Sequence, residues 1–274
     1  MDIAAAADRA DSFRALHRPG EPLLLPNPWD AGSARVLASL GFAALATTSS
    51  GFAASLGRPD GAVSRDESLA HAALIVAATD LPVSADLENG FSDEPAGVAR
   101  TVALAVQVGL AGCSIEDFSG SLDAPIYDEG LAAERIAAAA QAAHSGPVKL
   151  VLTARAENYL RGQPDLDDTI ARLRRYQEAG ADVLYAPGLT RPEDIRAVVT
   201  SVDLPVNVLA LPSGPDVAGL AELGVGRVSV GGAFAYVAID ALATAARELL
   251  EAGTLGYWRH AAAGRAVAAA AFRP

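Results

Sequence analysis

Along this chain, short aliphatic and β-branched runs alternate with longer stretches whose apolar positions recur every three or four residues. The runs read as buried strands and the longer stretches as amphipathic helices. Eight strands are predicted, over 23–26, 43–49, 83–88, 113–117, 150–157, 183–187, 206–211 and 227–231. Each is followed by a segment able to form a helix, as in 66–79, 93–108, 130–144 and 166–179. Strict alternation of the two kinds implies parallel strands joined by crossover helices. The punctuation agrees. Gly41, Gly109, Gly180 and Gly224 stand before strands two, four, six and eight, where a glycine suits a helix C-terminus. Pro82, Pro147 and Pro205 stand before strands three, five and seven, where a missing N–H removes no ladder bond.

Eight such units favour one α/β domain spanning 1–274, a closed (β/α)8 barrel of the TIM type. The alternative is an open doubly wound sheet, weakened because no GxGxxG turn follows an early strand. An extra helix is expected over 3–16, and two more over 236–250 and 257–271. The last carries an apolar stripe with Trp258, Val267 and Phe272, surplus to one barrel. Residues 236–274 are therefore expected to pack on a partner subunit.

Charge narrows the partners. The formal net charge is −12 and no basic run stands out, which disfavours nucleic acid and anionic membrane. Any anion site must then rest on a metal or on local arginine. Cys113 is the only cysteine, so no intramolecular disulfide forms, and no basic n-region precedes an apolar core near Met1. The expectation is a cytoplasmic protein.

The chemistry gathers at the predicted strand ends, where a barrel of this type carries its active site. Strand three delivers Asp86 and Glu88, and strand four Glu116 and Asp117. Strand five gives Thr153, Arg155 and Glu157, and strand seven Asn207. Carboxylates on adjacent strands can converge on a hard cation that prefers oxygen, while an arginine pairs with a substrate carboxylate. A single acid after a strand is more often a helix cap or turn residue. That reading is kept for Asp30 and, by spacing alone, for Asp60. The four histidines show no metal-ligand spacing and read as surface or packing residues. Cys113 reads as a small core residue and Asp182 as structural.

The series Thr48-Ser49-Ser50-Gly51-Phe52, Leu56-Gly57-Arg58-Pro59-Asp60, Ser84-Ala85-Asp86-Leu87-Glu88-Asn89-Gly90, Ser114-Ile115-Glu116-Asp117 and Leu152-Thr153-Ala154-Arg155 resembles the isocitrate lyase/phosphoenolpyruvate mutase superfamily, in order and spacing, over roughly residues 10–250. The resemblance implies a modified (β/α)8 barrel that swaps a helix between subunits, a homodimer or homotetramer. It implies Mg2+, with Mn2+ as a substitute, and a small 2-oxo or 2-hydroxy carboxylate as substrate. By position, Asp86 would ligate the metal directly, and Glu88 and Glu116 would hold metal-bound waters. Ser50, Gly51 and Phe52 would receive substrate oxygens, partly through backbone N–H, and Arg155 would pair with the substrate carboxylate. Asp60 would lie near the metal waters, against the plain turn reading.

The departures bear on the reaction. The Lys-Lys/Arg-Cys-Gly-His loop of the superfamily's C–C lyases is replaced by residues 118–128, which contain no Cys, Lys or His. The mutases' Lys-and-Asn gating loop is missing too. Tyr127 and Asp128 are the stand-in acid/base candidates. The leading expectation is a Mg2+-dependent lyase that cleaves a C–C bond or decarboxylates through a pyruvate-enolate-like species. One alternative is a P–C bond enzyme, a phosphonopyruvate hydrolase or mutase. Another is a non-catalytic barrel that binds a 2-oxo acid.

Overall fold

A computed structural model describes residues 2–272. Its strands are β1 (Leu23–Leu25), β2 (Leu45–Ala46), β3 (Val83–Asp86), β4 (Gly112–Glu116), β5 (Val151–Arg155), β6 (Val183–Tyr185), β7 (Val206–Leu209) and β8 (Arg227–Ser229). Helix α1 (Ile3–Ala15) precedes them, and α2 (Ala31–Ser39) follows β1. Both α3 (Ser49–Ser55) and α4 (Arg65–Val76) follow β2. Next come α5 (Pro95–Gln107), α6 (Glu129–His144), α7 (Leu166–Glu178), α8 (Pro192–Ser201) and α9 (Val217–Glu222), one after each strand from β3 to β7. After β8 the chain forms α10 (Ala233–Arg247), a π-helical turn (Glu248–Ala252) and α11 (Trp258–Ala271).

The strands pair in parallel in the order β1-β8-β7-β6-β5-β4-β3-β2. The seam between β1 and β2 is closed by single bonds rather than a ladder. Ala46 N–H donates to Pro26 O at 3.1 Å. Asn27 Nδ2 donates to Ala46 O and Thr47 O at 3.1 and 3.0 Å. Asn27 Oδ1 accepts from the amides of Val230 and Gly231 at 3.0 and 2.9 Å. One buried side chain thus ties the end of β8 across β1 to β2, and the fold is the TIM-type barrel expected from the alternation.

The predicted punctuation explains the helix ends. Gly41, Gly109, Gly180 and Gly224 all have positive φ, between 86° and 99°, a conformation that costs glycine little. Several observed strands are shorter than the apolar runs. The run over 43–49 keeps only Leu45–Ala46 in the ladder, because the Thr48 hydroxyl accepts from Gly51 N–H and starts α3 there.

Alternate strand residues face opposite sides. Outward ones such as Ile115, Leu152 and Leu184 are buried under the helices. Inside, Phe13 of α1 closes the barrel's N-terminal end against Leu23, Ala44, Ala111, Val151 and Val183. Gly112 is required there: a Cβ would stand 2.7 Å from Phe13 Cε1 and 2.9 Å from Val151 O. Above this plug the inward positions turn polar.

The C-terminal helices are dressed differently. Among the described residues α10 buries only Ala235, and α11, which lies against α2, buries none. Tyr236, Val237, Leu242, Leu250 and Trp258 are exposed. No described helix is long and apolar enough to cross a membrane.

Candidate active site

The C-terminal mouth of the barrel opens into a cavity of about 770 Å³. Asp86, Glu88, Glu116, Arg155, Asn207, Asp60 and Ser50 all line it, so most of the candidates scattered over 160 residues meet in one place. Their order follows from strand geometry. Asp86, Glu116 and Arg155 end β3, β4 and β5 on the inward face, with Glu116 in register with Arg155.

Arg155 is the hub. Its Nη1 donates to Asp86 Oδ1 at 2.9 Å, and its Nε and Nη2 donate to Glu157 Oε1 at 3.1 and 2.8 Å. Nη2 also lies 2.9 Å from Glu116 Oε2. Burial alone would lower its pKa, but the charges of Glu116, Glu157 and Asp86 outweigh burial and hold it well above the usual arginine range. The guanidinium lies over the Tyr185 ring, 5.2 Å from its centroid.

One arginine does not neutralise the acids. Burial, and then the charges of Asp86 and Asp60, push Glu88 up to about 7. Glu116 is raised well above the carboxylate range, chiefly by burial, with Glu157 and Asp86 adding to it. Glu88 also sits at φ 49°, a left-handed conformation uncommon for a non-glycine residue, in the turn that lifts its carboxylate beside Asp86. The buried Oε2 of Glu157 has no hydrogen bond; Arg161 Nη2 is 3.4 Å away.

Among the described residues, no three Asp, Glu, His or Cys groups converge as a full protein cage for a metal. The donors nonetheless suit a hard cation held by one carboxylate with water completing its shell, the habit of Mg2+. They are all oxygens, they carry an excess of negative charge, and one buried carboxylate oxygen beside them makes no hydrogen bond.

The other predicted residues divide. Asp60 is an exposed turn residue and also stands on the cavity rim, near enough to raise Glu88. Ser50 lines the cavity, its hydroxyl 3.2 Å from that of Thr48. Gly232 faces it closely, since a Cβ there would stand 2.5 Å from Ser50 Oγ. Gly51 and Phe52 do not line the cavity. Their N–H groups go to the Thr48 hydroxyl (3.3 Å) and carbonyl (3.0 Å), and the Phe52 ring stacks on His71 at 3.7 Å.

Asp117 is not brought in with Glu116. As its neighbour on the strand it points outward, where Tyr176 and Arg172 hold it. Tyr127 is also outside the cavity lining. Its hydroxyl donates to Asp93 and accepts from Asn89 Nδ2 at 3.1 Å, and its ring carries Arg135 at 4.0 Å. Burial, then the bond to Asp93, raise it to about 12. Asp128 caps α6. Asp30 caps α2, and Asp182 braces Arg14, His144 and the Leu152 amide, both as read from sequence.

Among the cavity residues that escaped the sequence reading are Arg161, Tyr185 as a lining group, and Arg227. Arg161 rests on the Phe118 ring at 3.4 Å and falls in a loop with no motif. Arg227 had a signal, a charged residue at the head of a buried strand.

The chain is similar to known proteins in sequence and fold. The family model described as phosphoenolpyruvate phosphomutase matches residues 13–250. A solved Burkholderia cenocepacia J2315 chain, assigned as a lyase/mutase, superposes with a TM-score of 0.92 at 54% identity, covering 96% of both chains. An uncharacterized protein of Mycobacterium tuberculosis (strain ATCC 25618 / H37Rv) is 40% identical over 86% of this chain and 88% of its own. The oxaloacetate decarboxylase of Chromohalobacter salexigens is 31% identical over 84% and 81%. With the barrel, the acid-ringed arginine and the family match in agreement, the chain belongs to the isocitrate lyase/phosphoenolpyruvate mutase superfamily of lyases and mutases.

Proposed function

We propose that this enzyme is a Mg2+-dependent lyase, with Mn2+ able to substitute, acting on a small 2-oxo or 2-hydroxy carboxylic acid. It breaks a C–C bond or decarboxylates through a pyruvate-enolate-like species. The observation that carries the reading is the oxygen-only cluster of Asp86, Glu88 and Glu116 around Arg155 at the barrel's C-terminal rim. Asp86 would hold the cation, with Glu88 and Glu116 holding its waters. When bound, the metal supplies a Lewis acid that draws electron density from an oxygen of the substrate as negative charge develops.

The chain's own groups do the rest. Arg155 lines the cavity beside these carboxylates, so its charge stabilises a carboxylate or enolate brought next to it. The Ser50 hydroxyl offers a further donor on the cavity wall. Residues 118–128 form a tight excursion pinned by the Phe118–Ile126 bridge and by Ser119 N–H donating to Pro125 O at 2.8 Å. That excursion brings Phe118, Gly120 and Leu122 to the cavity wall. In this reading the Tyr127 hydroxyl positions Asn89, a lining residue, rather than meeting substrate. The active form is a homodimer or homotetramer whose contact covers the apolar faces of α10 and α11; light scattering on the full chain checks this.

The test is turnover of oxaloacetate and branched malates with Mg2+. Asp86→Ala should remove it altogether while the protein stays folded. Turnover that survives in that variant, or that ignores chelation of the metal, would refute the mechanism. The phosphomutase description of the matching family supports one second reading, P–C bond chemistry. Consumption of phosphonopyruvate followed by phosphorus NMR separates it from the first.

A further inference from the structure

Among the described residues the largest fully buried side chain is Arg135, on α6, at 1% exposure. Its hydrogen bonds go to backbone carbonyls rather than to acids. Nη1 donates to Glu116 O at 3.3 Å, and Nη2 donates to Ser92 O at 2.9 Å and to Asn89 O. The guanidinium lies over the Tyr127 ring, 4.0 Å from its centroid, and Nε makes no hydrogen bond. Taking such a group out of water is costly, and burial lowers its pKa accordingly.

The three carbonyls belong to the two segments that present Glu88 and Glu116. Glu116 ends β4, and Asn89 directly follows Glu88. The turn after β3 is strained: Glu88, Gly90 and Phe91 have φ of 49°, 75° and 57°, and two of the three are not glycine. Backbone of this kind persists only where its surroundings over-determine it. The turn's amides are held locally. Gly90 N–H donates to Leu87 O at 2.8 Å and Phe91 N–H to Asn89 Oδ1 at 3.0 Å. The carbonyls of Asn89 and Ser92 take Arg135 instead. Glu116 closes the circuit, since its N–H donates to Glu88 O at 2.9 Å while its own carbonyl accepts from Arg135. Arg135 stands outside the cavity lining, so it reaches the site only through the backbone of these acids. The planar fork of an arginine can span two chain segments in this way, whereas the single nitrogen of a lysine cannot.

We propose that Arg135 is a positioning residue for the metal end of the site: it clamps the backbone that carries Glu88 and Glu116 and so sets the spacing of their carboxylates. This rests on the Mg2+ reading above and adds a group beyond the cavity on which cation affinity depends.

The experiment titrates the full-length protein with Mn2+, counting free Mn2+ by electron paramagnetic resonance, and follows amide hydrogen exchange at Gly90, Phe91 and Glu116. Arg135→Met should weaken Mn2+ binding by about tenfold, as when a group that orients metal-site carboxylates is removed. It should also speed exchange at those three amides ahead of the rest of the barrel. Tyr176→Phe, in the outward network of Asp117, is the control. It should lower the melting temperature and leave both readouts as in the native protein. Arg135→Lys keeps the charge without the fork, so its Mn2+ affinity should fall between the Met variant and the native protein; it also stands in if the Met variant does not fold. Native-like Mn2+ affinity in the Arg135 variants, or an equal loss in Tyr176→Phe, overturns the proposal and leaves Arg135 a purely structural group. Exchange that speeds uniformly along the chain overturns it too. Native protein that binds no Mn2+, or Asp86→Ala that binds it as tightly, refutes instead the metal-dependent reading. Exchange in the turn then still judges the clamp, and unchanged exchange there overturns it.

Discussion

Glu116 and Asp117 adjoin each other in sequence and serve two different charged networks. Asp117 faces outward into the layer between sheet and helices. Its Oδ1 accepts from Glu157 N–H at 2.8 Å, and its Oδ2 accepts from Tyr176 Oη at 2.6 Å and Arg172 Nη1 at 3.3 Å. Arg172 goes on to Asp168 at 2.7 Å and to the Tyr127 carbonyl at 2.8 Å. Both oxygens of Asp117 are spoken for. Glu116 faces inward, where Asp86 and Glu157 also crowd Arg155, Glu88 is forced up to about 7, and the buried Glu157 Oε2 and Thr153 Oγ1 have no hydrogen bond. A network that satisfies itself holds the fold together, whereas one left with surplus charge beside a cavity is prepared for a ligand.

Exchanging the roles of the two acids is the hardest test of that distinction. Asp117→Ala should cost about 3–5 kcal/mol of stability, because it strands Arg172 and the Tyr176 hydroxyl in a buried site. Glu116→Gln should do the opposite: about 10–100-fold loss of Mg2+-dependent turnover with a chemical-denaturation midpoint unchanged or raised, since it removes one of several like charges. Should Glu116→Gln unfold the protein and Asp117→Ala spare it, the two networks have been assigned the wrong way round.

A smaller effect probes the floor between them. His17 is held at about 3 by burial and by Arg227, against an ordinary value of 6.5. Below pH 6.5 the unfolded chain takes up a proton that the native His17 refuses. Stability is therefore full above that pH and drains away as pH falls toward 3. At pH 5 the loss from this group should be about 2 kcal/mol relative to pH 7. Urea titrations of the native protein and of His17→Gln at both pH values measure it as a difference. A variant with the same pH dependence as the native protein would show that His17 is not buried as a neutral ring.

How much of this was legible in sequence differs by layer. The barrel could be read because each unit repeats its own local grammar, an apolar run, a cap glycine or a strand proline, and these are decided within a few residues. The site's main carboxylates and Arg155 could be read because Asp86 and Arg155 each close an apolar strand run, with Glu88 two residues beyond Asp86. Periodicity did not by itself separate Glu116 from Asp117. Adjacent residues on a strand point to opposite faces, but which of them faces the cavity depends on the barrel's shear. Gly51 and Phe52 misled in another way. Their amides are consumed where Thr48 starts α3, and no pattern of apolar spacing announces a seven-residue helix at a strand end. The surroundings of Arg227 were not legible because its partners, Asn207 and His17, are brought to it only by the closed barrel.

Tyr127 carries the smallest expected effect and draws the line between the networks most finely. It stands in the loop that replaces the lyases' Cys-Gly-His segment, which made it an acid/base candidate. Its ring is nevertheless wedged under Arg135, its carbonyl takes Arg172, and its hydroxyl is shared by Asp93 and Asn89. A phenol raised to about 12 is also a poor base near neutral pH. Tyr127→Phe should therefore cost about 1 kcal/mol of stability through one lost hydrogen bond at each side. Its effect on turnover should show in KM, by up to about threefold through the loosened Asn89, with kcat nearly unchanged. If the variant instead lost catalytic rate by about two orders of magnitude, with KM intact and a shifted pH profile, Tyr127 would move out of the self-satisfied network and into the chemistry. The boundary drawn between Glu116 and Asp117 would then have to run on the other side of this loop.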